Sequence, residues 1–321
     1  MADTSDLIDT LEARSQRRTD RRALFTAFGT ASALAGGFAL SAGLSSASAQ
    51  TSTVTDGDIL NFALNLEYLE AQFYLFAATG AGLPGTSLSG TGTAGAATGG
   101  RRVNFTDPVV ARYAQEIAAD ERAHVDFLRT AIGATAVAQP AIDISADPNG
   151  AFSSAARAAG LVGPGVAFDP YASDENFLLA AFIFEDVGVT AYKGASPLVS
   201  NKTFLEAAAG ILAVEAYHAA IVRTTLYAKG IATPALIDAT EAISNARDSL
   251  DGSADLDQGV RPSGSGLATT SNIVPLDTDG LAYSRTASQV LNIVYLNRAA
   301  VTGGGFFPNG VNGMLRMSAA N

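Results

Sequence analysis

The chain contains only two histidines, and each closes the same four-residue motif. Glu121-Arg-Ala-His124 lies in "DERAHVDFLRTAIG", and Glu215-Ala-Tyr-His218 lies in "VEAYHAAIVRTTLYAKG". Five residues after each histidine comes Arg-Thr, at 129–130 and again at 223–224. With ten glutamates in 321 residues, chance places Glu three positions before both histidines about once in a thousand chains, (10/321) squared. The stretches before these motifs also repeat, because Glu67 precedes Tyr74 by seven residues just as Glu185 precedes Tyr192. The chain therefore reads as two copies of one helical hairpin, each with a Glu on its first helix and Glu-x-x-His on its second.

The spacing has a chemical consequence. Residues three apart share a helix face, so Glu121 with His124, and Glu215 with His218, can point a carboxylate and an imidazole inward together. With Glu67 and Glu185 from the other two helices, four carboxylates and two imidazoles converge, which is the donor set of a dinuclear metal site in a bundle core. In that arrangement two glutamates bridge the metals and two are terminal. Tyr74 and Tyr192 lie two turns from their glutamates on the same face, in reach of a ligating carboxylate. On the first helix Glu70 can also face inward, but the repeat aligns it with Gly188, so Glu67 is the primary candidate and Glu70 the reserve. Glu116 points elsewhere and reads as surface. A lone Glu-x-x-His is more often a solvated pair; its repetition on a repeated hairpin favours the metal.

The absence of cysteine excludes disulfides, thiolate metal sites and a thiol nucleophile. Carboxylate and imidazole suit two Fe or two Mn ions per chain, and zinc also accepts such ligands. A net charge of −11 argues against nucleic acid and anionic membranes as partners.

Hydrophobic periodicity predicts four long helices. The first runs from Asp56 to Thr79, with Gly80 as its stop. A second starts at "TDP", where Thr106 or Asp107 caps and Pro108 fits the first turn, and continues to about Ile132. A third spans about Asp174 to Lys193, bounded by Gly194, and a fourth runs from near Asn201 to Lys229, bounded by Gly230. The segment "GLPGTSLSGTGTAGAATGG" between the first two is low-complexity and reads as mobile. About forty residues with four prolines join the second and third helices, enough to cross the length of a bundle. The expected fold is all-α: a four-helix bundle with one long crossover over residues 50–230. Residues 231–321 form a C-terminal extension packing on the bundle, with at least one extra helix at "SRTASQVLNIVYLN"; an oligomer contact is the alternative role.

Residues 1–49 read as an address. Arg21-Arg22 precedes a modestly apolar stretch that ends in Ala47-Ser48-Ala49, a small-x-small cleavage signature. Weak hydrophobicity beside paired arginines resembles a Tat signal and implies a periplasmic or otherwise extracytoplasmic home. Gly and Ser interrupt the apolar run, so no stable membrane span is expected after cleavage.

The segments "ILNFALNLEYLEAQFYLFAATG", "EIAADERAHVDFLR" and "RTASQVLNIVYLN…GGGFFPNGVNGM" resemble those of the ferritin-like superfamily, more narrowly the exported bacterial ferritin-like proteins related to plant desiccation-related proteins. The resemblance covers most of the chain beyond residue 49. It implies a ferritin-like bundle and an activity associated with stress, and it supports Glu67, Glu121, His124, Glu185, Glu215 and His218 as ligands. Hydrogen peroxide, O2 or Fe2+ is then the small substrate of a catalase-like or ferroxidase-like oxidoreductase. Without cysteine there is no rubredoxin-like electron supply, so a self-sufficient reaction without iron storage is favoured. The alternative is a non-catalytic or vestigial ferritin-like envelope protein acting in desiccation stress. A third possibility, oxidation of an organic substrate, requires an apolar channel. A homo-oligomer is compatible with the sequence, though the long loops disfavour the cage of storage ferritins.

Overall fold

The computed structural model describes residues 54–321, and the segment read as a signal lies outside the described residues. Helix α1 (Asp56–Thr79) opens on a capping box: Thr55 accepts from the Asp58 amide, and the Asp58 carboxylate accepts from the Thr55 amide at 2.9 Å. It stops at Gly80, whose φ of 83° only glycine adopts at little cost. Helix α2 (Pro108–Ile132) is capped by Asp107, which accepts from the Val109 amide, with Pro108 in the first turn. Helix α3 (Ala151–Ala158) is a short element within the crossover, not foreseen from the pattern. Ser173 caps α4 (Asp174–Ala195), and Asn201 caps α5 (Lys202–Ala232). The C-terminal extension adds α6 (Ala235–Asp251) and α7 (Ala287–Val294).

α1 with α2 and α4 with α5 form the two hairpins. Cross-links fix their direction. Asn61 at the start of α1 bonds the Val137 amide just past α2, and Lys229 at the end of α5 pairs with Glu175 at the start of α4. Asp174 accepts from the amides of Thr106 and Asp107, which ties the starts of α2 and α4 together. Asp56 does the same for the start of α1 by accepting from Ser200 and Asn201, just ahead of α5. Neighbouring helices therefore run antiparallel, and the connection from α2 to α4 must traverse the bundle. The two hairpins are unequally placed within themselves. Of α1, 17 of 24 residues are buried and of α4, 16 of 22, whereas α2 buries 8 of 25 and α5 9 of 31. α1 and α4 are the wrapped inner pair, and α2 and α5 keep one face in solvent.

Three expectations are corrected. The glycine-rich segment after α1 is not a free loop: β1 (Ala97–Thr98) pairs in parallel with β2 (Ile142–Asp143) of the crossover. The ladder extends backward through Thr91, whose amide and carbonyl bond Ala136 and Ala138. Its glycines serve close approach, since a Cβ on Gly95 would lie 2.2 Å from the Ala141 amide nitrogen. Gly194 does not stop α4, which continues to Ala195; it lets the extension pass, because a Cβ there would lie 2.0 Å from the Arg285 carbonyl oxygen. Gly230 likewise stays inside α5, where a Cβ would sit 2.5 Å from Ile237 of α6. Both glycines read as helix stops are contact points for the C-terminal extension.

That extension belongs to the same compact unit as the bundle. Phe306 stacks edge-on against Phe184 of α4, with centroids 4.9 Å apart, and Asn312 exchanges two hydrogen bonds of 2.9 Å with Asn65 of α1. α5 is long and apolar enough to cross a membrane by length and composition. Its buried residues include Glu215, His218 and Arg223, the pattern of a helix lining a polar core.

Candidate metal centre

Glu67, Glu121, His124, Glu185, Glu215 and His218 meet in the middle of the four-helix bundle, and all six are buried. Both histidines turn Nδ1 inward. That of His124 lies 3.1 Å from Glu67, 3.5 Å from Glu121 and 3.6 Å from Glu215. That of His218 lies 2.9 Å from Glu121 and 3.8 Å from Glu185. Two donor groups result: Glu67, Glu121, His124 and Glu215 form one, and Glu185, Glu215 and His218 the other. Glu121 approaches both histidines and Glu215 belongs to both groups, whereas Glu67 sits with His124 and Glu185 with His218. Glu121 and Glu215 are thus placed to bridge.

Eight buried side-chain nitrogen and oxygen atoms lack a hydrogen-bond partner among the described residues, and six of them belong here: both oxygens of Glu121, both of Glu215, Glu185 Oε2 and His218 Nδ1. Leaving a buried polar group unpaired costs about 1–3 kcal/mol. The Glu121–His218 approach of 2.9 Å lacks hydrogen-bond geometry. Ligand atoms thus lie close to one another without hydrogen bonds to satisfy them, which is what ligation by a cation provides. Two divalent ions would also neutralise the four carboxylates while leaving both imidazoles neutral. The residues present fit a pair of metal ions on donor chemistry and charge alike.

The tyrosines cross over. Tyr74 of α1 donates to Glu185 Oε1 of α4, and Tyr192 of α4 donates to Glu67 Oε1 of α1. Each fixes one carboxylate oxygen and leaves the other facing a histidine. Glu70 is buried as well, but it falls outside both donor groups. It faces Gly188: a Cβ on that glycine would lie 2.3 Å from Glu215 Oε2 and 3.6 Å from Glu70 Oε1. An apolar cavity opens beside Glu70 and Gly188, lined by Leu66, Ile183, Val187 and Phe306 among others, with room for about one water-sized molecule.

Without metal, protons must occupy this cluster. Burial pushes Glu185 up to about 8, and burial with the Glu121 charge pushes Glu67 up to about 7. Burial lifts Glu70 and Glu215 well above the usual carboxylate range. Against the same burial, the two histidines hold Glu121 down to about 2. Burial lowers the histidines, but the surrounding carboxylates outweigh it and raise His124 to about 11 and His218 to about 9.

Two features were missed in the sequence. Asp120 accepts from His218 Nε2 at 3.2 Å. The repeated arginines also have different fates. Arg129 donates to the Tyr68 hydroxyl, and Arg223 is buried against Asp186 at 2.8 Å. Tyr68 and Asp186 each follow the repeated glutamate, so the pairs are equivalent. From Asp186 a second buried cluster spreads. Arg247 binds Asp186 at 3.1 Å and Asp257 at 2.5 Å, while Arg285 binds Asp251 at 2.6 Å and Asp257 at 3.1 Å. The signal was Asp186 itself, a second acid beside Glu185 in the apolar middle of α4.

Residues 55–228 match the ferritin-like domain family. The chain is 30% identical over 268 residues to the ferritin-like catalase Nec2 of Nesocodon mauritianus, covering 81% of this chain and 84% of the relative. It is 32% identical over 248 residues to the desiccation-related protein PCC13-62 of Craterostigma plantagineum, covering 74% and 76%. No solved structure matches the chain.

Proposed function

Because this chain belongs to the ferritin-like domain family, we propose that its buried cluster holds two Fe or Mn ions and dismutates hydrogen peroxide, 2 H2O2 → 2 H2O + O2. The observation that carries this reading is the convergence of six unpartnered donor atoms in a sealed core. When bound, such a metal pair supplies redox change and a positive seat for peroxide oxygens. The chain's own residues do the rest. Glu67 and Glu185 are held in one orientation by Tyr192 and Tyr74, and Glu121, close to both histidines, and Glu215, in both donor groups, would hold both ions. The adjoining apolar cavity has room for about one water-sized molecule, which supports a small substrate such as peroxide or O2 over an organic one. Dismutation needs no external electron donor, in keeping with a chain that has no cysteine. The ferritin-like catalase among the relatives supports the same choice. Ferroxidation is the variant in which Fe2+ itself is the reductant.

The desiccation-related relative favours a second reading, in which the bundle protects the envelope during drying without turnover. Export by a Tat-like signal belongs to both readings and rests on residues 1–49. The test is elemental analysis of the purified protein followed by oxygen evolution from peroxide. About two Fe or Mn per chain with oxygen release supports the catalase reading. Metal without turnover of peroxide or Fe2+ moves the protein to the protective reading, and no metal after anaerobic reconstitution removes the dinuclear site.

A further inference from the structure

The repeat that builds the metal centre is broken at one position that touches it. Residue 120 precedes the ligand Glu121, and its counterpart preceding Glu215 is residue 214. Position 120 is Asp and position 214 is Val. Asp120 reaches across to the other hairpin, where its Oδ2 lies 3.2 Å from His218 Nε2. As a metal ligand this ring would keep Nε2–H donating to Asp120 and offer its Nδ1 lone pair on the side of Glu121 and Glu185. By the symmetry of the hairpins, His124 should receive the same support from residue 214. Valine has no acceptor, and His124 makes no hydrogen bond through Nε2 among the described residues; its only one, through Nδ1, is to Glu67. One imidazole is clamped from behind and the other is not.

The ligands themselves do not distinguish the two positions: Glu121 approaches both histidines and Glu215 belongs to both donor groups, leaving Glu67 with His124 and Glu185 with His218. A carboxylate behind a ligating imidazole fixes the ring and raises its basicity, and losing it typically lowers metal affinity about 10–100-fold. We infer that Asp120 is a positioning residue for His218 alone, which makes the two metal positions chemically distinct and strengthens the one on the His218 side. This rests on the two-metal reading above. Asp120 is not itself a ligand, since its carboxylate lies behind the ring and is 44% exposed.

The experiment uses the full chain labelled with 15N-histidine, which gives only two imidazole systems, and a titration with Zn2+ as a diamagnetic probe of this ligand set. In Asp120→Val, which makes the halves alike at this position, one Zn2+ per chain should stay tight and the other weaken about 10–100-fold. At one equivalent the His124 nitrogen should shift while His218 stays at its free position. Asp120→Asn, which keeps an oxygen acceptor, should fall between this variant and the wild type, and Val214→Asp should tighten the His124 position. Equal weakening of both sites, loss at His124 instead, or no change would overturn the inference while leaving two-metal binding intact. A wild-type chain that binds no Zn2+, Fe2+ or Mn2+ would remove the two-metal reading and this inference with it.

Discussion

Glu185 and Asp186 are neighbours on α4, yet they enter two buried ionic clusters of opposite design. Around Asp186 the charges close on one another: Arg223, Arg247 and Arg285 face Asp186, Asp251 and Asp257, with Asp248 at the edge 3.9 Å from Arg285. Arg223 spends all its N–H groups, donating to Asp186 and to the carbonyls of Gln258, Gly259, Asn272 and Ile273. Only Arg247 Nε and Asp251 Oδ1 are left over. Around Glu185 acids outnumber bases, and six donor atoms find no partner. Both clusters are equally buried, so burial does not separate scaffold from site. The unfilled valence does.

The largest expected effect comes from Glu121, the one carboxylate in contact with both histidines. Glu121→Ala should reduce peroxide consumption to the level of metal-free protein while circular dichroism shows the helices intact. Retained turnover would erase the distinction between the two clusters, because this one would then be as structural as its neighbour.

Next is the mirror experiment. Arg247→Ala leaves the buried Asp186 with Arg223 alone and Asp257 with Arg285 alone, one positive charge short, and should cost about 3–5 kcal/mol, read from the denaturant midpoint. Folded protein that remains should still carry its metals. A stable variant that has lost metal would show the two clusters to be one functional unit.

Chelation tests the same comparison through pH. In the metal-free chain, His124, His218, Glu67 and Glu185 all titrate above their ordinary values, the carboxylates moving up from 4.5 and the histidines from 6.5. The folded state therefore retains protons that the unfolded chain releases, and stability must fall as pH rises from about 5 to 9. Glu121, held near 2, works with the opposite sign but only below about 4.5. Bound metal displaces these protons, so the gain in melting temperature from metal should be larger at pH 8.5 than at pH 5.5. Melting curves with EDTA and after reloading decide this. A gain that shrinks with pH would mean that the ions bind elsewhere.

The smallest effect is expected for Tyr192→Phe, which frees Glu67 Oε1 from its hydroxyl. Metal affinity should fall about tenfold, with stability changed by about 1 kcal/mol. A chelator competition assay measures the first. An unchanged affinity would show that packing alone orients Glu67.

Much of this was legible because helical spacing and caps are local. Thr55, Asp107 and Gly80 bound α1 and α2 where the sequence placed them. The six metal candidates came from a repeat with few histidines to confuse it, and the structure buries all six together. What could not be seen depends on contacts distant in sequence. Gly194 and Gly230 carry the composition of helix stops, and only Arg285 and Ile237 pressed against them reveal their use. The segment 82–100 looks unstructured until residues 136–144 are laid beside it. Asp120 reads as one more surface acid until His218 arrives from 98 residues away.

The crossed tyrosines set a timetable for assembly. Each carboxylate at the ends of the cluster is secured by a hydroxyl from the other hairpin, across separations of 111 and 125 residues. Closing loops of that length is a late event in folding. Neither hairpin on its own can present the full set of oriented carboxylates, so, on the two-metal proposal, filling of the cluster would double as an inspection that the chain has reached its final form.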